Sequence, residues 1–481
     1  MDIIKKYVDS FNADDEQIYA NLVDNEHAYE WMKEEIPVFE CPDKDIERAY
    51  YFRWWTFRKH LKLTEDGYVF TEFLPKVGWS GKHNTINAAV GHHIYEGRWL
   101  KNSGKYLGDY IRFFLSEKEQ SHKYSAWMIY AALQMCKITG NYDLGDDFLS
   151  KICEYYDYWE ETHGADRDKF WSYDGRDAME FSISGTLPNK VSRKGIRPTL
   201  NSYMCADAYA IAEFARMAGK NDIAQKYTEK YEALKSMINS KLWENGFYRA
   251  FHYFDGEDIG KLFEAHKNES PRELIGYIPW MFSIPPVGRE SVFDLLIDEN
   301  SFHSKYGLMS AERSHERFLY EVNHECLWNG YVWPYATSQT LTAMYNMIRE
   351  YPDTEKYKDM YCRLLRQYAC SHTLTKEDGR VVSWIDEVRH PLRDEWSSRS
   401  ILRDDGWKPG RGGYERGKDY NHSTFCDLVI SGIVGVHGDN ELKLSPNIPS
   451  DWEWFKLSNL HFNGGVYTIE YNKANGITVN A

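Results

Sequence analysis

The chain has 481 residues with 73 acidic and 58 basic side chains, a net charge of −15, and 42% hydrophobic against 27% charged residues, a composition that excludes disorder. The absence of a basic stripe argues against a nucleic-acid partner, and the absence of any run of about 18 apolar residues argues against a membrane span. Aromatic residues make up 16%, including 17 Trp and 36 Tyr, more flat rings than core packing requires. Such rings fill wide gaps between helices, and they also stack on the C–H faces of sugars.

The N-terminus, MDIIKKYVDSFNADDEQ, has no apolar core of a secretory leader, so a cytoplasmic location is expected. From about Asp45 the pattern becomes serially helical. DIERAYYFRWWTFRKHL, KYSAWMIYAALQMCKITG, LNSYMCADAYAIAEFARMAG, AQKYTEKYEALKSMINSKLW and YATSQTLTAMYNMIREY all repeat apolar residues at i, i+3, i+4 and i+7. Turns such as ITGNYD and MAGKND end one helix and start the next. Helices rich in Ala, Met and aromatics alternate with helices carrying Lys and Glu on a wide face, as the inner and outer members of an α/α barrel would. No repeat of fixed length marks an open solenoid. The expected fold is therefore mainly α, an (α/α)6 toroid or six-hairpin barrel over residues 45–436, preceded by an N-terminal helical extension, 1–44. Residues 437–481 alternate in polarity around an NGG turn and read as a short C-terminal antiparallel β piece. The eight cysteines form no CxxC framework and are expected as free thiols.

Four polar links interrupt the helices and are the natural places for chemistry. They hold FTEFLPKVGWSGKHNT (70–85), WSYDGRDAMEFSISG (171–185), NHECLWNGYVWPYATSQT (323–340), and WIDEVRHPL (384–392) with GGYERGKDYNHSTFCD (412–427). Each mixes Trp or Tyr with carboxylates, Asn, His or Arg. Cleavage of a glycosidic bond needs one carboxylic acid to protonate the leaving oxygen and one carboxylate to activate water or attack carbon. These links hold that inventory, although among 73 acids a glutamate beside a tryptophan is cheap to find.

WNGYVWPYATSQTL resembles the W-x-G-x-x-W segment of the trehalase-like six-hairpin glycosidases, above all glycoside hydrolase family 63 and the mannosylglycerate-hydrolase-like group. WIDEVRHPL is similar to that group's E-N-Y-N-P segment, with Glu387 at the glutamate, His390 at the second Asn and Pro391 at the proline. Val388 and Arg389 replace the Asn and Tyr between them. DAMEFSISG is similar to the group's S-G-x-D-x-S segment, with Glu180 on the aspartate and Asp177 displaced by three residues as its rival. Some β-L-arabinofuranosidases of this fold look similar in the same loops. The resemblance implies an exo-acting, inverting glycoside hydrolase with Glu180 or Asp177 as general acid and Glu387 as general base. It implies substrate contacts from Trp79, Asn201, Trp328, Asn329, Trp333, Trp384, Arg389, Tyr420 and His422, an oligosaccharide or small glycoside as partner, and no metal or cofactor.

Weaker constellations remain open. His92 and Glu96 in HHIYE sit at i, i+4, a spacing that suits a metal, but no third ligand is evident and a helix-packing or sugar-facing histidine is the favoured reading. Tyr420, Asn421 and His422 could abstract a proton beside a uronate, as in toroidal polysaccharide lyases, or Asn421 or Ser423 could cap the apolar run that follows. Arg399, Arg403 and Arg411 could hold a sugar carboxylate or simply be solvated. The alternatives to a hydrolase are such a lyase and a non-catalytic sugar-binding toroid.

Overall fold

Local chemistry sets where each periodic run becomes a helix. In the computed structural model, which describes residues 2–165, 168–186, 191–253 and 271–481, α1 spans Ile3–Asp14, α2 Ala28–Glu35 and α3 Lys44–Phe57. Asp43 starts α3 by accepting the Asp45 and Ile46 N–H groups on one carboxylate oxygen, which satisfies two of the orphan donors at a helix start. Next come α4 (Val90–Gly97), α5 (Ser103–Ser116), α6 (Met128–Thr139) and α7 (Phe148–His163). Gly140 ends α6 at φ 71, a left-handed geometry that costs glycine nothing, and its N–H closes on Cys136 O. α8 (Pro198–Met217) and α11 (Pro334–Glu350) both begin on proline, whose fixed φ and missing N–H suit a first helical position. Between them lie α9 (Asn221–Met237) and the single turn α10 (Ile278–Met281). α12 (Lys358–Ser371), α13 (Ser397–Asp404) and α14 (Phe425–Asp427, continuing as a π-helix through Leu428–Val434) complete the set.

Burial separates these helices into two kinds. α4 is buried along its whole length, as are α11 up to Ile348 and α14 with its π extension, and α8 is buried over most of its residues. The alanines of α8 at 206, 208, 210, 212 and 215 let α6 and α9 approach closely. α9, in contrast, buries only Ala224, Tyr227, Leu234 and Met237. Packing runs from α4 to α6, α6 to α8, α8 to α10, α10 to α11, α11 to the π segment, and α14 back to α4. α5 lies against α4 and α6, α7 and α9 against α8, α12 against α11, and α3 against α12 and α14.

The tail forms the β piece. β2 (Trp454–Phe462), β3 (Gly465–Asn472) and β4 (Gly476–Asn480) are antiparallel, and Asn463 (φ 45) with Gly464 (φ 77) makes the two-residue turn that NG sequences favour. The sheet has a fourth strand from the other end of the chain: β1 (Val38–Glu40) pairs with β2, Val38 opposite Ser458. Three residues leave too short a pattern to read from sequence. All eight cysteines are free thiols. Among the described residues no helix is long and apolar enough to cross a membrane.

Candidate active site

Five of the buried helices are approached by chain that carries a polar side chain just ahead of, or within, the first helical turns. Glu72 precedes α4, Tyr124 precedes α6, Glu180 precedes α8, Trp328 precedes α11, and Tyr420 and His422 precede α14. Contacts between these segments show that they meet. The Trp328 N–H donates to Glu180 O at 3.1 Å, the Cys326 thiol donates to Glu387 at 3.1 Å, and the Tyr420 hydroxyl donates to Glu72 at 3.0 Å. Tyr335, in the first turn of α11, packs its ring on His92, His422 and Trp328 with centroids 4.0, 5.0 and 5.8 Å away.

Glu180 sits in a strained bend. Ala178 and Phe181 both take positive φ, 55 and 62, a conformation that side-chain-bearing residues adopt at some cost and that clusters at functional sites. Among the described residues no side chain donates a hydrogen bond to its carboxyl group. Burial pushes its pKa up to about 8, and the nearby charges of Glu387, Asp174 and Glu72 add to the effect.

Asp177 has the opposite environment. One oxygen accepts from Ser125 (2.7 Å) and Ser172 (3.0 Å), and the other accepts from Arg197 (2.6 Å) and Thr199. A carboxylate that accepts four hydrogen bonds, one from a buried guanidinium, has no oxygen left on which to carry a proton for a substrate. Its work is to pin the 172–177 bend to the start of α8.

Glu387 is 3% exposed and held at both oxygens, by the Cys326 thiol on Oε1 and by Arg416 on Oε2. Arg416 also donates to Glu325 at 2.9 Å, and the Glu387 N–H donates to Asp386 at 2.8 Å. The carboxyl group is held in a fixed orientation, with a lone pair still free on each oxygen.

The aromatic candidates divide. Trp79 is half-buried, edge-on to Phe73 at 5.8 Å, with the Arg416 guanidinium 4.9 Å from its ring centre. Trp328 and Trp333 stack on each other, centroids 4.4 Å apart, and are both buried. Trp333 spends its indole N–H on Leu327 O, whereas the Trp328 indole N–H has no partner. Tyr420 and His422 lie together beside Glu72.

Four other candidates are not brought to the acids. Asn201 uses its amide on the backbone, accepting from Phe170 N and donating to Phe170 O and Arg197 O, so it ties the 170–172 strand to α8. Arg389 donates to Ser371 O and Asp394 while its backbone pairs with Val332, which makes it a strut. Trp384 faces a cavity shared with Phe52, Trp55 and Lys418. Asn329 donates to Tyr320 O and braces that loop, although its side-chain oxygen is unpartnered. The metal-spacing pair also resolves. Glu96 accepts the Cys426 and Asp427 N–H groups at the start of α14, and His92 packs on Tyr335. Ser423 accepts the Phe425 N–H there at 3.2 Å, the capping role open to it. Arg399 pairs with Glu415, Arg403 with Asp404, and Arg411 with Asp405 and Glu325.

Sequence reasoning passed over Glu72, Cys326 and Arg416 as members of this site. All three lie in quoted motifs: FTEF, HECLWNG and GGYERGKDY. What singles them out is which side chains they meet, and Glu72 meets a partner 348 residues away.

Residues 82–423 match the sequence profile described as the mannosylglycerate hydrolase MGH1-like glycoside hydrolase domain. A structure titled "Sialidase" is 34% identical and superposes with a TM-score of 0.86 over 99% of this chain and 42% of its own. An alpha-L-rhamnosidase from Dictyoglumus thermophilum (13% identity, TM-score 0.55, 93% of this chain, 44% of its own) and a GH78 family rhamnosidase of Bacillus SP. GL1 (13%, 0.55, 92% and 41%) share the fold. The chain spans about two-fifths of the length of each of these proteins. With the profile covering most of its length, the chain belongs to the MGH1-like glycoside hydrolase family.

Proposed function

We propose that the chain is an exo-acting, inverting glycoside hydrolase in which Glu180 is the general acid and Glu387 the general base. The observation that carries this is the asymmetry of two electrostatically coupled carboxyl groups. Glu180 receives no side-chain hydrogen bond among the described residues and burial lifts its pKa to about 8, so it holds a proton at neutral pH. Glu387 is ion-paired with Arg416, which fixes its orientation. An inverting mechanism requires one protonated and one ionised carboxyl group on opposite faces of the sugar, spaced to admit a water. Glu180 would protonate the leaving oxygen, and Glu387 would take a proton from the water attacking the anomeric carbon. The depth at which Glu72, Tyr420 and His422 are buried suits a terminal sugar rather than a chain passing through.

In the same reading, the succession of packed helices that returns from α14 to α4 is the inner ring of an (α/α)6 toroid. The catalytic barrel spans 45–436, flanked by the 1–44 extension and the 437–481 β segment. A uronate lyase is less well supported, because the Tyr420 hydroxyl is committed to Glu72 and Arg399, Arg403 and Arg411 are all paired with acids. The test is a screen of 4-nitrophenyl glycosides and oligosaccharides with the wild type beside Glu387→Gln. Turnover lost in the variant with binding retained supports the assignment. Turnover that survives the substitution overturns it.

A further inference from the structure

Glu72 is a buried carboxyl group that the acid–base pair does not use. Oε1 accepts from the Tyr420 hydroxyl at 3.0 Å and lies 2.9 Å from His422 Nε2, while Oε2 has no protein partner. His422 Nδ1, on the far side of the same ring, is also unpartnered, and neither nitrogen of His92 has a well-aligned partner. Leaving a buried polar atom unsatisfied is costly, so several in one place point to groups that are satisfied by a ligand. Burial holds both imidazoles well below their ordinary pKa, hence neutral, and pushes the Glu72 carboxyl up to about 8, hence protonated at neutral pH. With Nε2–H of His422 directed at Glu72 Oε1, the free atoms are an acidic O–H donor on Oε2 and a bare acceptor at Nδ1.

The cations around this floor are all committed. Arg416 serves Glu387 and Glu325, Arg411 serves Glu325 and Asp405, Arg399 serves Glu415, and Arg197 serves Asp177. Arg53 is turned to Thr56 and the Tyr420 carbonyl. Arg53 apart, which is fully buried and bonded to neutral groups, each of these guanidinium groups is already paired with an acid, and a substrate carboxylate would enter beside Glu387. A site for an anionic sugar is built the other way, with a free bidentate cation.

We propose that Glu72, His422 and His92 form an uncharged recognition floor that reads adjacent hydroxyl groups of the terminal sugar, and that this sugar is neutral, without a carboxylate. The proposal rests on the glycosidase reading and assigns Glu72 to binding, not to proton transfer.

The discriminating experiment measures kcat and KM of wild type, Glu72→Gln and Glu72→Ala on the best-cleaved 4-nitrophenyl glycoside. It also measures wild-type turnover of 4-nitrophenyl glucuronide and a 4-nitrophenyl sialoside. Glutamine keeps one acceptor and one donor, so Glu72→Gln should raise KM less than Glu72→Ala does, with kcat changed less than KM. Glu72→Ala should raise KM by roughly tenfold or more with a smaller change in kcat, the loss expected when buried partners are left unpaired. Neutral glycosides should be cleaved and the two anionic ones not. A fall in kcat of about 100-fold or more in Glu72→Gln would place Glu72 in the chemistry and overturn the proposal. So would an unaltered Glu72→Ala, or preferred cleavage of an anionic glycoside. If Glu72→Ala fails to fold by circular dichroism, the Glu72→Gln constants and the anionic substrates still decide. If folded wild type cleaves nothing, calorimetry with the corresponding free sugars separates the two claims. Binding of neutral sugars alone upholds the floor and overturns the hydrolase, and no binding overturns both.

Discussion

Arg416 and Glu387 are joined by a buried ion pair, guanidinium to Oε2, with side chains 1% and 4% exposed. The same guanidinium holds Glu325, so one cation orients the proposed base and neutralises two acids. Arg416→Met should therefore destabilise the fold by about 3–5 kcal/mol, because it strands the buried Glu387 carboxyl group and leaves Glu325 with Arg411 alone. Arg416→Lys keeps the charge and loses the fork, and should recover part of that stability. Thermal unfolding of the three proteins checks the order, wild type above Lys above Met.

Glu180 sets the alkaline limit. A general acid must be protonated, so kcat/KM should fall as pH rises through about 8, the value to which burial lifts this carboxyl group. The pH–rate profile measures this directly, and a profile that stays flat up to pH 10 would remove Glu180 from the role.

The same shift makes stability depend on pH. The Glu180 pKa is about 8 in the folded chain and near 4.5 when unfolded, so the folded state holds the proton more tightly. That contribution is complete below pH 4.5 and is lost as pH rises through 8. Glu180→Gln removes the cost of ionising a buried carboxyl group, and should stabilise the protein at pH 8.5 by on the order of 2 kcal/mol while abolishing turnover. Unfolding at pH 5 and 8.5, variant against wild type, gives the comparison.

Asp177 separates structure from chemistry. Asp177→Asn leaves Arg197 buried without its counter-charge and should cost about 3–5 kcal/mol of stability. Activity per folded molecule should fall less than in Glu180→Gln, which stays folded and loses turnover. Active-site titration beside a melting curve distinguishes the two losses.

Cys326 donates one of the two hydrogen bonds that aim Glu387. Cys326→Ser keeps a donor and should retain most activity. Cys326→Ala should lower kcat/KM by about fivefold, the worth of one modest hydrogen bond, with little change in melting temperature.

Helices and tail were legible because their signals are local. The 3.6-residue periodicity of KYSAWMIYAALQMCKITG survives as α6, and the NG pair near the end makes the turn between β2 and β3. Glu387 and Glu180 were reachable through short motifs. Sequence could not show that Asn201 and Arg389 spend their donors on backbone carbonyls, because a buried polar side chain that serves the backbone has the same residue type and surroundings in sequence as one that serves a sugar. Glu72 was invisible for the converse reason, since its role depends on Tyr420 and His422 and on which of its oxygens stays free.

The stereochemistry of the first product tests the acid–base pair most directly. Proton NMR of the sugar released in the first minutes, before mutarotation, reports its anomeric configuration. Attack by water activated at Glu387, with Glu180 protonating the leaving group, predicts the anomer opposite to that of the substrate. Release of the same anomer as the substrate would contradict the account.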